Sequence, residues 1–189
     1  MDTTIIVNSV KNHNIHKPIL LEKIKELNNN YETRTPTKSI SWSNSIEHKS
    51  QYVENIRSDW TLLQEIERDY LDYFYEKVIT DIMLKIGQQL GFQKFDWSIL
   101  NAWFQQYDKN GTHAWHNHIN TQFTNCYFIE LPNKRYKTQI LGKDGKIIKY
   151  EAKEGDVITF PAWMKHCSPS NSNNRKTVIA FNSNYDYHE

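Results

Sequence analysis

Apolar positions recur with two different periods along this chain, and the period changes near residue 92. Between residues 17 and 30, KPILLEKIKELNNN sets Ile19, Leu20, Ile24 and Leu27 at helical spacing and stops in an asparagine run, which predicts a short amphipathic helix. From 58 to 90, Leu63, Ile66, Tyr70, Phe74, Val78, Ile82, Ile86 and Leu90 follow at steps of three or four. With Ser58 and Asp59 as N-cap candidates and Gly91 as the stop, this predicts a helical layer of one or two helices. The stretch between them, 31–50, is rich in Ser and Thr and contains Pro36; it reads as a loop carrying a short strand around Ile40 to Trp42.

Beyond Phe92 the pattern becomes that of strands. FDWSILNAWFQQY, TNCYFIEL, YKTQIL, KIIKYEA, DVITFPAWM and KTVIAFNSNY are β-branched or aromatic runs, separated by the turn signals DKNG, LPNKR, GKDG and EGD. Short strands at hairpin-like spacing predict an antiparallel sandwich or barrel covered on one face by the preceding helices. The expectation is a mainly β protein with an N-terminal helical layer: residues 1–92 pack on a β core of residues 93–189, forming one integrated domain.

Composition narrows the function. The chain of 189 residues has 23 Lys plus Arg against 22 Asp plus Glu, a balance that makes a nucleic-acid or membrane surface an unfavoured expectation. Six Trp and eleven Tyr supply enough apolar surface for a core despite a mean hydropathy of -0.76. Cys126 and Cys167 form neither a CxxC pair nor a disulfide framework, and the start shows no uninterrupted apolar h-region. A reducing, cytoplasmic setting without a membrane span is expected.

The candidate chemistry lies in HAWHNHINTQFTNCYF, residues 113 to 128, which holds three of the eight histidines. His116 and His118 are two apart, so in an extended segment both imidazoles share a face and can converge on one ion. His166 follows GDVITFPAWMK, beyond an apolar strand ended by proline, where a second strand can deliver a third ligand and leave coordination positions open.

The stretches NAWFQQYDKNGTHAWHNHINTQFTNCYFIELP and EGDVITFPAWMKHCSPSNSNNRKTVIAFNSNY together resemble the 2-oxoglutarate- and Fe(II)-dependent oxygenases of bacteria and phages that carry an HxH…H signature. The resemblance covers roughly residues 95 to 187, several motifs in the same order. It implies a double-stranded β-helix (a jelly-roll, cupin-like), with Fe(II) and 2-oxoglutarate as cofactors. It further implies dioxygen as cosubstrate, oxidation of a C–H bond in an unidentified substrate, and release of succinate and carbon dioxide. His116, His118 and His166 match the metal ligands. The better-known branch of that superfamily has a carboxylate where His118 stands. Three neutral imidazoles leave Fe(II) at +2, which a 2-oxoglutarate dianion neutralises, and the same donor set also suits Zn(II).

Either these three histidines are the triad, or a carboxylate such as Asp108 or Asp156 replaces one. The former is favoured because His118 is in register with the following strand, whereas Asp156 is accounted for by its turn. His113 is expected beside the metal face rather than on it. In the resembling family a basic residue about ten positions after the distal histidine anchors the far carboxylate. Arg175 and Lys176 both qualify, and as neighbours they must point to opposite faces; Arg175 is favoured by its bidentate fork and Lys176 by spacing. Asn125 and Tyr127 share a face of the strand after the HxH pair and are candidates to hydrogen-bond the cosubstrate, with Cys126 on the opposite face as a small core residue. Asn101 and Trp103 are candidates for the pocket mouth. Two alternatives stay open: a three-histidine cupin-type dioxygenase without 2-oxoglutarate, and a noncatalytic jelly-roll held by a closed structural metal site. A homodimer is a further expectation.

Overall fold

Strands with two buried faces dominate the fold and account for the unbroken apolar runs in the C-terminal half. The computed structural model describes residues 5–35, 38–40, 51–60, 62 and 66–188, with backbone alone at 38–40 and 51–54. Its strands are β1 (Ile6–Ser9), β2 (Lys38–Ile40), β3 (Gln51–Ser58), β4 (Phe95–His116), β5 (Phe123–Glu130), β6 (Gln139–Ile140), β7 (Asp156–Pro161), β8 (His166–Ser168) and β9 (Lys176–Tyr187). They pair antiparallel in the order β1-β7-β5-β9-β4-β3-β2, while β8 bridges β4 to β6. The curled antiparallel sheet is that of a jelly-roll, the double-stranded β-helix expected from the sequence.

Alternation along these strands feeds two cores. Tyr127, Ile129, Val157, Ile179 and Phe181 face outward under the helices; Cys126, Phe128, Ile158, Phe160 and Val178 face into the curl. The outer core is completed by Leu20, Ile24 and Leu27 of helix α1 (His13–Asn30) and by Tyr70, Phe74, Val78, Ile82, Met83 and Ile86. These last lie on one helical run made of α2 (Asp69–Phe74), a π-turn over Tyr75–Ile79, and α3 (Thr80–Gln89). Gly91, at φ 87°, ends it in the left-handed conformation that lets the chain leave the helix without a Cβ penalty.

Several elements differ from expectation. The helical run begins at Asp69, not at Ser58. Ser58 ends β3 and its hydroxyl donates to the Phe104 carbonyl, while the Asp59 carboxylate accepts from Phe104 N–H, the Tyr70 hydroxyl and Arg68. Capping-type residues here tie a strand corner to the sheet. Leu63 and residues 41–50, including Trp42, lie outside the described residues; β2 ends at Ile40. DKNG is a bulge within β4: Ile56 pairs with Tyr107 and Glu54 already with Thr112, so residues 108–111 are extruded. KIIKYEA forms no strand, because β6 pairs with β8 and only an isolated Leu141–Ile147 bridge closes the hairpin. Strands β1, β3 and β8 lie outside the predicted runs. No helix among the described residues is long and apolar enough to cross a membrane.

Candidate metal centre and its cavity

Two strand ends and the segment after β4 bring three imidazoles together. His116 closes β4 and pairs in register with His166 at the start of β8. His118 sits two residues on, where its backbone N–H donates to Ala162 O at 2.9 Å and holds the segment against the end of β7. One ligand nitrogen from each of His116, His118 and His166 falls within 4.8 Å of the others. No other His, Cys, Asp or Glu among the described residues belongs to this group.

Hydrogen bonds at the opposite ring nitrogens settle the tautomers. Nδ1–H of His116 donates to Ala114 O at 2.8 Å, that of His166 to Met164 O at 3.1 Å, and that of His118 to Asn182 Oδ1 at 2.8 Å. Asn182 is itself oriented by Nδ2 donating to Asn101 Oδ1 at 2.7 Å. Each acceptor fixes a proton on Nδ1 and leaves the Nε2 lone pair free. Burial holds all three rings below the ordinary histidine range, His118 down to about 4 with His116 beside it as the second cause, so the donors are neutral at pH 7. Three oriented, neutral imidazoles with outer partners fit a divalent transition metal and leave one side of it unclaimed.

The remaining candidates divide by face. Lys176 begins β9 opposite Tyr107, and its side chain enters the curl; it is 1% exposed. Its ammonium donates to Tyr136 O at 2.9 Å and to the Ser168 hydroxyl, and lies 4.1 Å from the centre of the Tyr107 ring. Burial pushes it down to about 8, and the ionisable groups that bear on it are the thiols of Cys126 and Cys167, not carboxylates. Arg175 points the other way, half exposed, with its guanidinium in a two-pronged pair with Glu130 at 2.8 and 2.9 Å. Tyr127 faces the helices rather than the cavity, its hydroxyl 2.7 Å from His13 Nδ1. Asn125 borders the cavity, but its carboxamide is occupied by Ser183, Phe181 O and Thr159. Of the expected pair only Asn125 borders the cavity, where Thr124 and Cys126 line it as well.

Asp108 and Asp156 do not enter the site. Asp108 lies 3.7 Å from Arg57, and Asp156 accepts from Ser9 and from Lys153 N–H. His113 stacks against His116 with ring centres 4.0 Å apart.

The cavity runs along β9 from Lys176 past Val178 to Ala180, and two residues further on Asn182 holds His118. Gln105, Tyr107, Thr138 and Ser168 line the lysine end or its approach, and Phe160 borders His166. Trp103 is stacked on His118 with ring centres 5.8 Å apart and packs against the half-exposed Trp60 at 4.4 Å. Asn182, Gln105, Tyr107, Thr138 and Ser168 escaped the sequence reading. Of these, only Asn182 carried a usable signal: it shares strand parity with Lys176, three side-chain steps along.

No family model matches the chain, and no curated protein does. Solved structures are similar over nearly its whole length. The prolyl-4-hydroxylase of Pseudomonas putida matches with a TM-score of 0.58 at 11% identity, covering 96% of this chain and 92% of that one. A prolyl hydroxylase from Trichoplax adhaerens, solved with a hypoxia inducible factor peptide fragment, matches with a TM-score of 0.63 at 10% identity over 96% of this chain and 84% of that one. SnoN, a non-haem α-ketoglutarate-dependent epimerase from nogalamycin biosynthesis, matches with a TM-score of 0.62 at 12% identity over 99% and 81%. At such identities the likeness is one of fold, the double-stranded β-helix.

Proposed function

We propose that the chain is an Fe(II)- and 2-oxoglutarate-dependent oxygenase. The observation that carries this reading is a buried lysine ammonium with no carboxylate partner among the described residues, at the opposite end of a cavity from three converging imidazoles. An unpaired buried cation is costly, and a ligand with a carboxylate at one end and metal-chelating oxygens at the other relieves it. 2-Oxoglutarate has that form, and the solved structures of similar fold include enzymes described as acting with it. Iron bound with 2-oxoglutarate supplies the oxidising chemistry: dioxygen is consumed, the keto acid becomes succinate and carbon dioxide, and one oxygen atom is delivered to a substrate C–H bond.

The residues of the chain have separable tasks. His116, His118 and His166 hold the metal through Nε2. Lys176 holds the far carboxylate, with Ser168 and Thr138 as hydroxyl donors beside it, while Arg175 stays in its surface pair with Glu130. Trp103, Phe160, Val178 and Ala180 keep the cavity dry, which strengthens each polar contact within it. Helices α1 to α3 serve as the outer support, backing the strands that carry Lys176 and Asn182.

Anaerobic titration of the Fe(II)-loaded protein with 2-oxoglutarate tests the reading. A weak visible charge-transfer band should appear, vanish with His116→Ala, and need far more 2-oxoglutarate with Lys176→Met. Absence of the band in the iron-loaded wild type would refute it. The carboxylate-free donor set favours one second reading, a three-histidine dioxygenase that does not use 2-oxoglutarate. In that case Lys176→Met leaves turnover unchanged.

A further inference from the structure

His113 is a fourth imidazole at the metal face, yet it does not join the group of converging ligand atoms. Its ring lies nearly parallel to that of His116, with centres 4.0 Å apart and planes at 16°. A hydrogen-bond chain holds it at a ring nitrogen. The Tyr107 hydroxyl donates to Gln105 Oε1 at 2.7 Å, and Gln105 Nε2 donates to His113 Nδ1 at 3.3 Å. His113 thus carries its proton on Nε2, the reverse of the three metal-face histidines.

Of those three, His116 and His166 have the more local tethers, each to a carbonyl two residues back, and only His116 has a fourth imidazole stacked on it. His118 is held by Asn182 from another strand, whereas the one side-chain hydrogen bond of His116 among the described residues runs to the carbonyl of Ala114, two residues back in its own segment. A single bond at Nδ1 leaves the ring free to tilt about that contact. A parallel ring on one face removes this freedom. His113 reaches that position because the bulge extrudes residues 108–111 and brings residue 113 within side-chain reach of Gln105. Gly111 is required there: a Cβ would stand 2.9 Å from Asn55 O, Asp108 O and Tyr107 Cβ.

We infer that His113, oriented by Gln105 and Tyr107, is a positioning residue that sets the ring plane of the metal ligand His116. This rests on the metal-face reading above. Since Tyr107 also forms the floor under the Lys176 ammonium, the bridge ties the lysine end of the cavity to the metal end through side chains of one strand.

Cobalt(II) is the probe, because its ligand-field absorption reports ligand geometry without turnover. With His113→Ala the Kd for Co(II) should rise about tenfold or more and the absorption bands should shift, as outer-sphere losses do, with the fold checked by circular dichroism. His113→Phe, which keeps a flat ring without nitrogen, should restore the spectrum and hold Kd within about threefold of wild type. Gln105→Leu should weaken Co(II) binding in the wild-type background and have no effect in the protein carrying His113→Phe, a non-additivity expected of coupled neighbours. Wild-type affinity and spectrum in His113→Ala overturn the inference. If that variant does not fold, the pair of Gln105→Leu measurements decides alone. Wild-type protein that binds no Co(II), or binds it equally after His116→Ala, overturns the metal-face reading itself, and the positioning role with it.

Discussion

Lys176 concentrates the electrostatics of the cavity in one atom. In the free protein its ammonium is pushed down to about 8 by burial. A carboxylate ligand needs the charged form, so affinity for 2-oxoglutarate should be full below that pH and fall as pH rises through it, by up to about tenfold per unit. Calorimetric titration from pH 7 to 9.5 measures this, and a flat profile counts against the lysine anchor. Lys176→Met should weaken binding by about 2 kcal/mol or more, roughly thirtyfold. Strand parity explains why the sequence left this proposed anchor shared between two residues. Adjacent residues on a strand face opposite ways, but both faces of this sheet are buried, so alternation cannot say which face is the cavity. The same ambiguity placed Tyr127, which faces the helices, on the cavity with Asn125. The histidines were legible because HxH and a late histidine carry their chemistry in residue type.

At the scale of elements, the corner at Ser58 and Asp59 and the bulge in β4 decide where the site lies. Asp59 is fully buried and raised by that burial, and it closes a network of Phe104 N–H, Tyr70 and Arg68 under the sheet. Asp59→Ala leaves those donors without an acceptor and should cost about 3 kcal/mol in denaturant unfolding, against less than 1 for a surface aspartate such as Asp144. Gly111→Ala should cost about 1–3 kcal/mol, since backbone and a Cβ crowd the site from three directions. It should also weaken Co(II) binding, because His113 moves with the bulge. Both features use residues that read locally as something else. Ser-Asp reads as a helix cap and Asp-Lys-Asn-Gly as a hairpin turn; only long-range pairing with β3 and β9 converts them. The helical period from Tyr70 onward needed no such partner to be visible.

For the whole molecule, a cluster of imidazoles kept neutral by burial makes the metal-free protein sensitive to acid. The folded state holds His118 down to about 4, while the unfolded chain takes up its proton near 6.5. Protons are therefore gained on unfolding between those values, and stability is lost as pH falls from about 6.5 toward 4, by up to about 1.4 kcal/mol per unit for each such histidine. Melting curves from pH 7.5 to 5 should show this loss. Metal at about a hundredfold over its Kd should add about 2.7 kcal/mol at pH 7 and raise Tm by roughly 5–10 °C, an increase absent in His166→Ala. One strand also sets a length. Tyr107, beneath the ammonium, and His116, in the imidazole cluster, belong to the same β4, whose ladders to β9 and β8 fix both in register. The register of those ladders sets their separation, so on the proposed reading the cavity acts as a gauge of carbon number: a five-carbon keto diacid should span it, 2-oxoadipate should be a methylene too long and oxaloacetate one too short, and competition binding should rank them so.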